Sequence, residues 1–175
     1  MRNFSLVPFP AADAYPQQIT GQVQRLGSIL TLQVSLKGHL NTVMVPTPNP
    51  QPRRQDKLWQ TTCFEFFIAP QDEPNYWEFN LAPSGDWNCY SFTNYRQDMA
   101  TAYDFVPVFE TFLSPQALSL HLSLPLAPLI REGQFIDLGV TMVVADTQRG
   151  ISYWALNHLG TSADFHRRDS FLIRL

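Results

Sequence analysis

Two glutamates and an asparagine alternate with aromatic residues in the middle of the chain. Alternate residues of a β-strand point to the same face of the sheet. Glu65 therefore shares a face with Trp59, and Tyr76, Glu78 and Asn80 fall together in the next run. If both runs present these residues to one surface, apolar rings lie beside carboxylate and amide groups that hydrogen-bond hydroxyls. This combination is typical of a sugar-binding platform, so we expect a carbohydrate ligand.

Three strand-like runs must position these groups, and they cover residues 58–68, 75–81 and 87–92. The third run adds Asn88 and Tyr90 to the polar face or, in the other register, Trp87. The aromatic residues of the opposite parity are expected to form the core, namely Phe64, Phe66, Trp77 and Phe79. Trp59 precedes the first polar-sided strand, and both a core position and a ligand-facing position stay open for it.

Most of the chain follows a period of two. Every second residue from Leu118 to Leu126 is a leucine, and the same alternation recurs over 30–36 and 136–144. The 14 prolines concentrate outside these runs, where they fit rigid loops between strands. We predict an all-β protein, an antiparallel β-sandwich of about ten strands. The length of 175 residues suits a single domain over residues 1–175.

Composition excludes several classes of protein. The net charge is −3 and the 12 Lys and Arg residues are spread along the chain, which argues against nucleic-acid binding. No apolar run is long enough for a membrane span. The first residues contain no apolar signal-peptide region, so we expect a cytoplasmic protein. In that compartment Cys63 and Cys89 are expected to be free thiols.

Several segments together carry a family resemblance. They are Asp56-Lys57-Leu58-Trp59, Thr62-Cys63-Phe64-Glu65-Phe66-Phe67, Tyr76-Trp77-Glu78-Phe79-Asn80, Ser84-Gly85-Asp86-Trp87, Ser152-Tyr153-Trp154-Ala155-Leu156 and Asp164-Phe165-His166. This pattern resembles the DOMON-like superfamily and, more closely, the bacterial DOMON-like domains related to family 9 carbohydrate-binding modules. The resemblance spans essentially the whole chain, and its most specific part runs from Arg54 to Arg96.

The resemblance implies a jelly-roll-like β-sandwich that binds a small ligand. In the family 9 modules a sugar lies between two tryptophans, and a Glu, an Arg and an Asn hydrogen-bond its hydroxyls. On this pattern Trp59 and Trp154 would be the stacking residues, Glu65 the acidic residue and Asn80 the amide. Glu78 stands where a module relative carries an arginine, so an acceptor replaces a donor.

Four further residues complete the expected ligand-binding set. Arg54 and Arg96 would orient or neutralise the carboxylates, while Tyr76 and His158 would contact the ligand. No catalytic or metal-binding residue is predicted. The related modules often hold structural calcium, but no acidic loop of this sequence has calcium-binding spacing.

Three alternatives stay open. Some DOMON domains bind haem, which needs an axial His or Met, and His121 is the residue we consider for that position. A small hydrolase could use Glu65 and Glu78 as a carboxylate pair, with His158 or His166 beside Asp164 as a general base. A protein partner or a second copy of the chain could instead cover the aromatic face.

Overall fold

The computed structural model describes residues 1–9, 15–102 and 106–175. Its regular structure is almost entirely antiparallel β. The strands are β1 (Arg2–Phe9), β2 (Gln18–Leu26), β3 (Ile29–Lys37), β4 (Cys63–Pro70), β5 (Tyr76–Leu81), β6 (Trp87–Phe92), β7 (Ala100–Thr101), β8 (Val108–Ser114), β9 (Ala117–Pro125), β10 (Ile136–Asp146), β11 (Gly150–Ala155) and β12 (Ile173–Arg174), and two short 3₁₀ helices cover Leu58–Gln60 and Arg168–Ser170.

The predicted all-β antiparallel sandwich is confirmed, with twelve strands in the described residues instead of about ten. Two of these strands, β7 and β12, are two residues long. Such short strands produce no readable alternation, because a period of two needs at least four or so residues to show.

One strand connects the two layers of the sandwich. The strands follow the order β7-β6-β5-β4-β10-β11-β1-β2-β3-β9-β8, and β12 pairs with β10. The first part of β1 pairs with β2, and its last residues, Val7 to Phe9, pair with β11. The sheet curls through β1, so that β4, β5 and β6 lie in one layer and β3 and β9 in the other.

The main core lies between the layers. The alternating leucines of β3 and β9 are buried there, and Phe64, Phe66 and Phe79 meet them from the other layer. The rings of Phe66 and Phe79 stack with centroids 4.5 Å apart. Phe64, Phe66 and Phe79 therefore lie in the core, as the alternation of apolar residues in their strands predicts.

A smaller apolar cluster lies on the outer face of β4, β5 and β6, where the C-terminal segment covers it. Phe67, Tyr76 and Phe92 belong to this cluster together with Phe171. Gly139 of β10 leaves the space that the Phe171 ring occupies, since a Cβ at this position would lie 2.7 Å from the ring. The C-terminal segment is thereby held against the face that carries the polar residues.

Cys63 and Cys89 are buried free thiols, as expected. They point to opposite faces of their layer, because Cys63 packs with Leu58 and Ala82 whereas Cys89 lies in the main core. No helix in the described part of the chain is long and apolar enough to cross a membrane.

Candidate functional site

The pairing of β4, β5 and β6 brings the polar side chains to one face. Glu65 lies opposite Asn80, and Asn80 lies opposite Asn88. Glu78 lies opposite Phe67 on one side and Tyr90 on the other. Glu65 and Glu78 are consequently diagonal neighbours on adjacent strands, a separation that lets long side chains interact.

A cavity of about 340 Å³ opens on this face. Glu65 and Glu78 line it together with the ring of Phe67. Its other walls are mainly aromatic and include Trp59, Phe92, Met99, Tyr153, Phe165 and His166. A mostly apolar cavity with a few convergent polar groups is the usual form of a small-molecule site.

Both carboxyl groups in this cavity are buried, with 4% of Glu65 and 7% of Glu78 exposed. Glu78 Oε1 accepts a hydrogen bond of 2.9 Å from Asn80 Nδ2. Glu65 Oε1 and Asn80 Oδ1 are buried and have no hydrogen-bond partner among the described residues. A buried polar atom without a partner is unusual in a folded protein and calls for an explanation such as a ligand or ordered water.

Burial controls the ionisation of the two carboxyl groups. It raises the pKa of Glu65 well above its usual range, and the nearby Glu78 carboxylate raises it further. Burial also raises the pKa of Glu78 to about 7, although the hydrogen bond from Asn80 and the charge of Arg96 oppose this shift. Glu78 therefore exchanges a proton near neutral pH, and Glu65 keeps its proton to a higher pH than an exposed carboxyl group does.

His166 enters the site from the C-terminal segment and is fixed by Tyr76. The Arg96 backbone N–H donates to the Tyr76 hydroxyl oxygen at 3.1 Å, and that hydroxyl lies 2.8 Å from His166 Nδ1. With Tyr76 as donor to Nδ1, the imidazole proton sits on Nε2, which lies 3.8 Å from Glu78 Oε2. Burial and the charge of Arg96 lower the pKa of His166 to about 4, so the ring is neutral at pH 7.

Arg96 lines the cavity, but its guanidinium is bonded elsewhere. Its Nη2 atom forms an ion pair of 2.9 Å with Asp164 Oδ1. The Tyr95 hydroxyl donates to the other oxygen of Asp164 at 2.5 Å. Arg96 itself has a φ of 53°, in the left-handed region that side chains larger than glycine seldom adopt. The tight turn aims its backbone N–H at Tyr76.

Trp59 forms part of the cavity wall from the first 3₁₀ helix. Its side chain is 36% exposed, and its ring meets Tyr90 edge to face with centroids 6.0 Å apart. Of the two positions that the sequence leaves open for Trp59, the structure selects the one facing the cavity. Tyr76, which was also predicted to contact the ligand, is fully buried and reaches the cavity through His166.

Trp154 does not lie on this face, which corrects the prediction that it forms the second stacking wall. It is 3% exposed in the main core, where its ring meets Tyr15 and its Nε1 donates to Ser152 Oγ at 3.0 Å. Trp154 pairs with Met142 of β10, a core residue, whereas Tyr153 pairs with Val143. Tyr153 therefore occupies the cavity wall that was assigned to Trp154.

Two other predicted residues also lie outside the cavity. Arg54 bonds to Asn88 Oδ1 and to the carbonyl of Ala102, and its guanidinium sits 4.1 Å from the centre of the Trp87 ring. It supports the edge of β6 and forms no ion pair with Glu65 or Glu78 among the described residues.

His158 contacts the backbone carbonyl of Val7 at 3.0 Å and the ring of Phe9. It stands behind Phe165 and does not line the cavity. His121, the residue considered for haem, is exposed on β9 against the ring of Phe112.

The sequence interpretation missed several residues of the site. Phe92, Tyr153 and Phe165 line the cavity, and His166 was considered only as a hydrolase base. Phe92 has the same parity as Asn88 and Tyr90, a signal that could have found it. Phe165 and His166 follow no strand, so alternation carries no information about them.

A second, larger groove of about 1260 Å³ runs between the β2–β3 turn and residues 126–135. Its charged residues include Arg131 and Glu73, which pair with each other at 2.9 Å. None of the buried unpaired polar atoms found in the described residues lines this groove. The described residues also contain no group of three or more His, Cys, Asp or Glu placed to hold a metal ion.

No protein-family model matches the sequence, and no curated protein matches it. Solved structures do match. A candidate carbohydrate-binding protein from Bacteroides uniformis has a TM-score of 0.72 at 13% identity, covering 97% of this chain and 84% of that one. The chain shares a β-sandwich fold with carbohydrate-binding modules.

Two structures of a family 9 module from Caldicellulosiruptor kristjanssonii support this statement. The complex with glucose has a TM-score of 0.50 at 13% identity, covering 83% of this chain and 69% of the module chain. The complex with cellotriose has a TM-score of 0.53 at 11% identity, covering 89% and 72%. At these identities the likeness is one of fold.

Proposed function

We propose that this protein binds a carbohydrate, without cleaving it, in the cavity beside Trp59. The observation that carries the proposal is Glu65 Oε1, a buried oxygen with no hydrogen-bond partner among the described residues, on a residue that lines an aromatic cavity. Leaving such an atom unpaired costs about 1–3 kcal/mol. A ligand hydroxyl supplies the missing partner.

The walls of the cavity suit the flat apolar face of a sugar ring. Trp59 stands on one side, and Tyr153 and Phe165 contribute rings to the same cavity and contact each other edge to face. Glu78, held by Asn80, offers a second oxygen for a hydroxyl. The volume of about 340 Å³ lies at the small end of ligand pockets, which favours a mono- or disaccharide.

The structural neighbours support the same class of ligand. The family 9 module is in complex with glucose in one structure and with cellotriose in another. In this chain, which shares the fold, the cavity opens on a sheet face and is lined by aromatic rings and carboxyl groups.

Replacing Glu65 by methionine tests the proposal. The variant keeps a side chain of similar length but removes both oxygens, so the buried unpaired atom disappears. We expect the free energy of unfolding to stay the same or rise, because the desolvation cost is removed. We expect sugar affinity to fall about tenfold or more. The exposed Glu110 of β8 provides the control, and Glu110→Met should leave sugar affinity unchanged.

Binding is measured by isothermal titration calorimetry of the full chain with glucose, cellobiose, glucosamine, N-acetylglucosamine and a muropeptide sugar. Saturable heat that weakens in Glu65→Met but not in Glu110→Met supports the proposal. Equal affinity in both variants would remove Glu65 from the site. Absence of saturable heat with every sugar, glucosamine included, would overturn the proposed function.

A further inference from the structure

Two acidic side chains line the cavity, and no basic side chain of the described residues hydrogen-bonds to either of them. Glu78 is bonded to the neutral amide of Asn80, and its other oxygen faces the neutral ring of His166. Glu65 has an oxygen without any partner among the described residues. Ionised carboxyl groups that are buried are normally paired with a cation or bind a metal, so among the described residues these two acids lack the partner that would favour their charged forms.

The nearest arginine is engaged with another acid. Arg96 lines the cavity, but its guanidinium bonds to Asp164 at 2.9 Å, and Asp164 is further fixed by the Tyr95 hydroxyl. Arg96 acts on Glu78 only through its charge at longer range. Arg96 thus contacts Asp164 and acts on Glu78 only from a distance.

The aromatic walls favour a positive charge as well. The face of an aromatic ring carries negative charge density and attracts cations, and the attraction increases where water is excluded. Trp59, Phe92 and Tyr153 present rings to the same cavity as the two glutamates. Acidic side chains surrounded by rings form a typical recognition site for an ammonium group.

We propose that the sugar bound in this cavity carries a protonated amine, so that the preferred ligand class is an amino sugar such as glucosamine. This inference rests on the proposed function, since it specifies the ligand of the same cavity. The ammonium group lies between Glu65 and Glu78 and donates to both, and the ring of the sugar packs on Trp59.

Binding of a cation to this cavity is coupled to proton release. Burial raises the pKa of both glutamates, and a bound ammonium favours their ionised forms. The other titratable and charged groups around them are Cys63 on β4, Tyr76 on β5, Cys89 and Tyr90 on β6, Arg96, and His166 from the C-terminal segment. Burial raises the pKa of both thiols and both phenols, so none of them ionises near neutral pH. The released proton therefore comes from Glu65 or Glu78.

The test compares glucosamine with glucose and N-acetylglucosamine by calorimetry of the full chain at about pH 6, where the amine is charged. The two neutral sugars differ from glucosamine only at the 2-position. We expect glucosamine to bind at least about tenfold more tightly than either. Titrations in buffers of different ionisation enthalpy should show proton release with glucosamine and none with glucose.

The variants Glu78→Gln and Glu65→Gln keep the side-chain shape and remove the negative charge. Each should reduce the preference for glucosamine over glucose, whereas the charge-matched control Glu110→Gln should retain it. If glucose binds as tightly as glucosamine, or if both release the same number of protons, the inference is wrong and the proposed function stands. If no sugar of the panel binds, the proposed function fails and the inference fails with it.

Discussion

Tyr76 and His166 are 90 residues apart in the chain, and the Tyr76 hydroxyl lies 2.8 Å from His166 Nδ1. This contact fastens the C-terminal segment to β5 and turns the other imidazole nitrogen toward Glu78. The rings of Tyr76 and Phe92 stack beneath it at 4.7 Å. His166, which lines the cavity, is therefore positioned by Tyr76, which is fully buried and does not line the cavity.

Tyr76→Phe should alter the ionisation of His166. The hydroxyl donates to Nδ1 and so favours the neutral ring. Without it, we expect the pKa of His166 to rise from about 4 while staying below its ordinary 6.5, because the ring remains buried. Losing the bond should cost about 1–3 kcal/mol of unfolding free energy. NMR titration of the imidazole signals measures the shift, and an unchanged pKa would show that the hydroxyl does not donate to Nδ1.

Trp59→Ala should weaken sugar binding at least about tenfold and leave the melting temperature within a few degrees. Covering roughly 60 Å² of ring yields ~1.5 kcal/mol, which corresponds to about tenfold in affinity. Trp59 is 36% exposed and lies outside the main core, so its loss leaves the core intact. Calorimetry and thermal unfolding measure the two effects. A large fall in melting temperature would mean that Trp59 is mainly structural.

Trp154 should behave in the opposite way. Trp154→Ala removes a buried core side chain and should destabilise the protein by about 3–5 kcal/mol. Since Trp154 faces away from the cavity, the milder Trp154→Phe should fold and bind sugar with the affinity of the unaltered chain. Denaturant unfolding and calorimetry give both values. A selective loss of affinity in Trp154→Phe would contradict the placement of this residue.

Glu78 should make stability depend on pH. Its pKa rises from 4.5 in the unfolded chain to about 7 on folding, so the folded state holds the proton more tightly. The resulting stabilisation is fully present below the unfolded value and is lost as the pH rises through about 7. Glu78→Gln should therefore gain stability relative to the unaltered chain by up to about 1.4 kcal/mol per pH unit between about pH 5 and 7.

His166 contributes with the opposite sign, because folding lowers its pKa from 6.5 to about 4. Its stabilisation is present above 6.5 and is lost as the pH falls through about 4. Unfolding curves of Glu78→Gln and His166→Asn over this range separate the two effects. A stability difference between Glu78→Gln and the unaltered chain that does not change with pH would contradict the burial of the Glu78 carboxyl group.

Alternation in the sequence determined most of what is local. Phe64, Phe66 and Phe79 had to be buried because a strand with this parity has one apolar face, and Glu65, Glu78 and Asn80 had to lie on the other. In each strand the period of two shows which residues lie on the same face. The all-β sandwich and the shared polar face could therefore both be predicted from the sequence.

Only the tertiary structure decided which face of β11 meets the core. Gly150 to Ala155 places Ile151 and Tyr153 on one face and Ser152 and Trp154 on the other, so both faces carry a large side chain. Because Trp154 pairs with the core residue Met142, its side chain points into the main core. Its Nε1 donates a hydrogen bond to Ser152 Oγ. His166 likewise reaches the cavity through long-range packing of the C-terminal segment against Tyr76. Contacts between residues so far apart follow from the closure of the whole fold, and a local pattern of residues does not encode them.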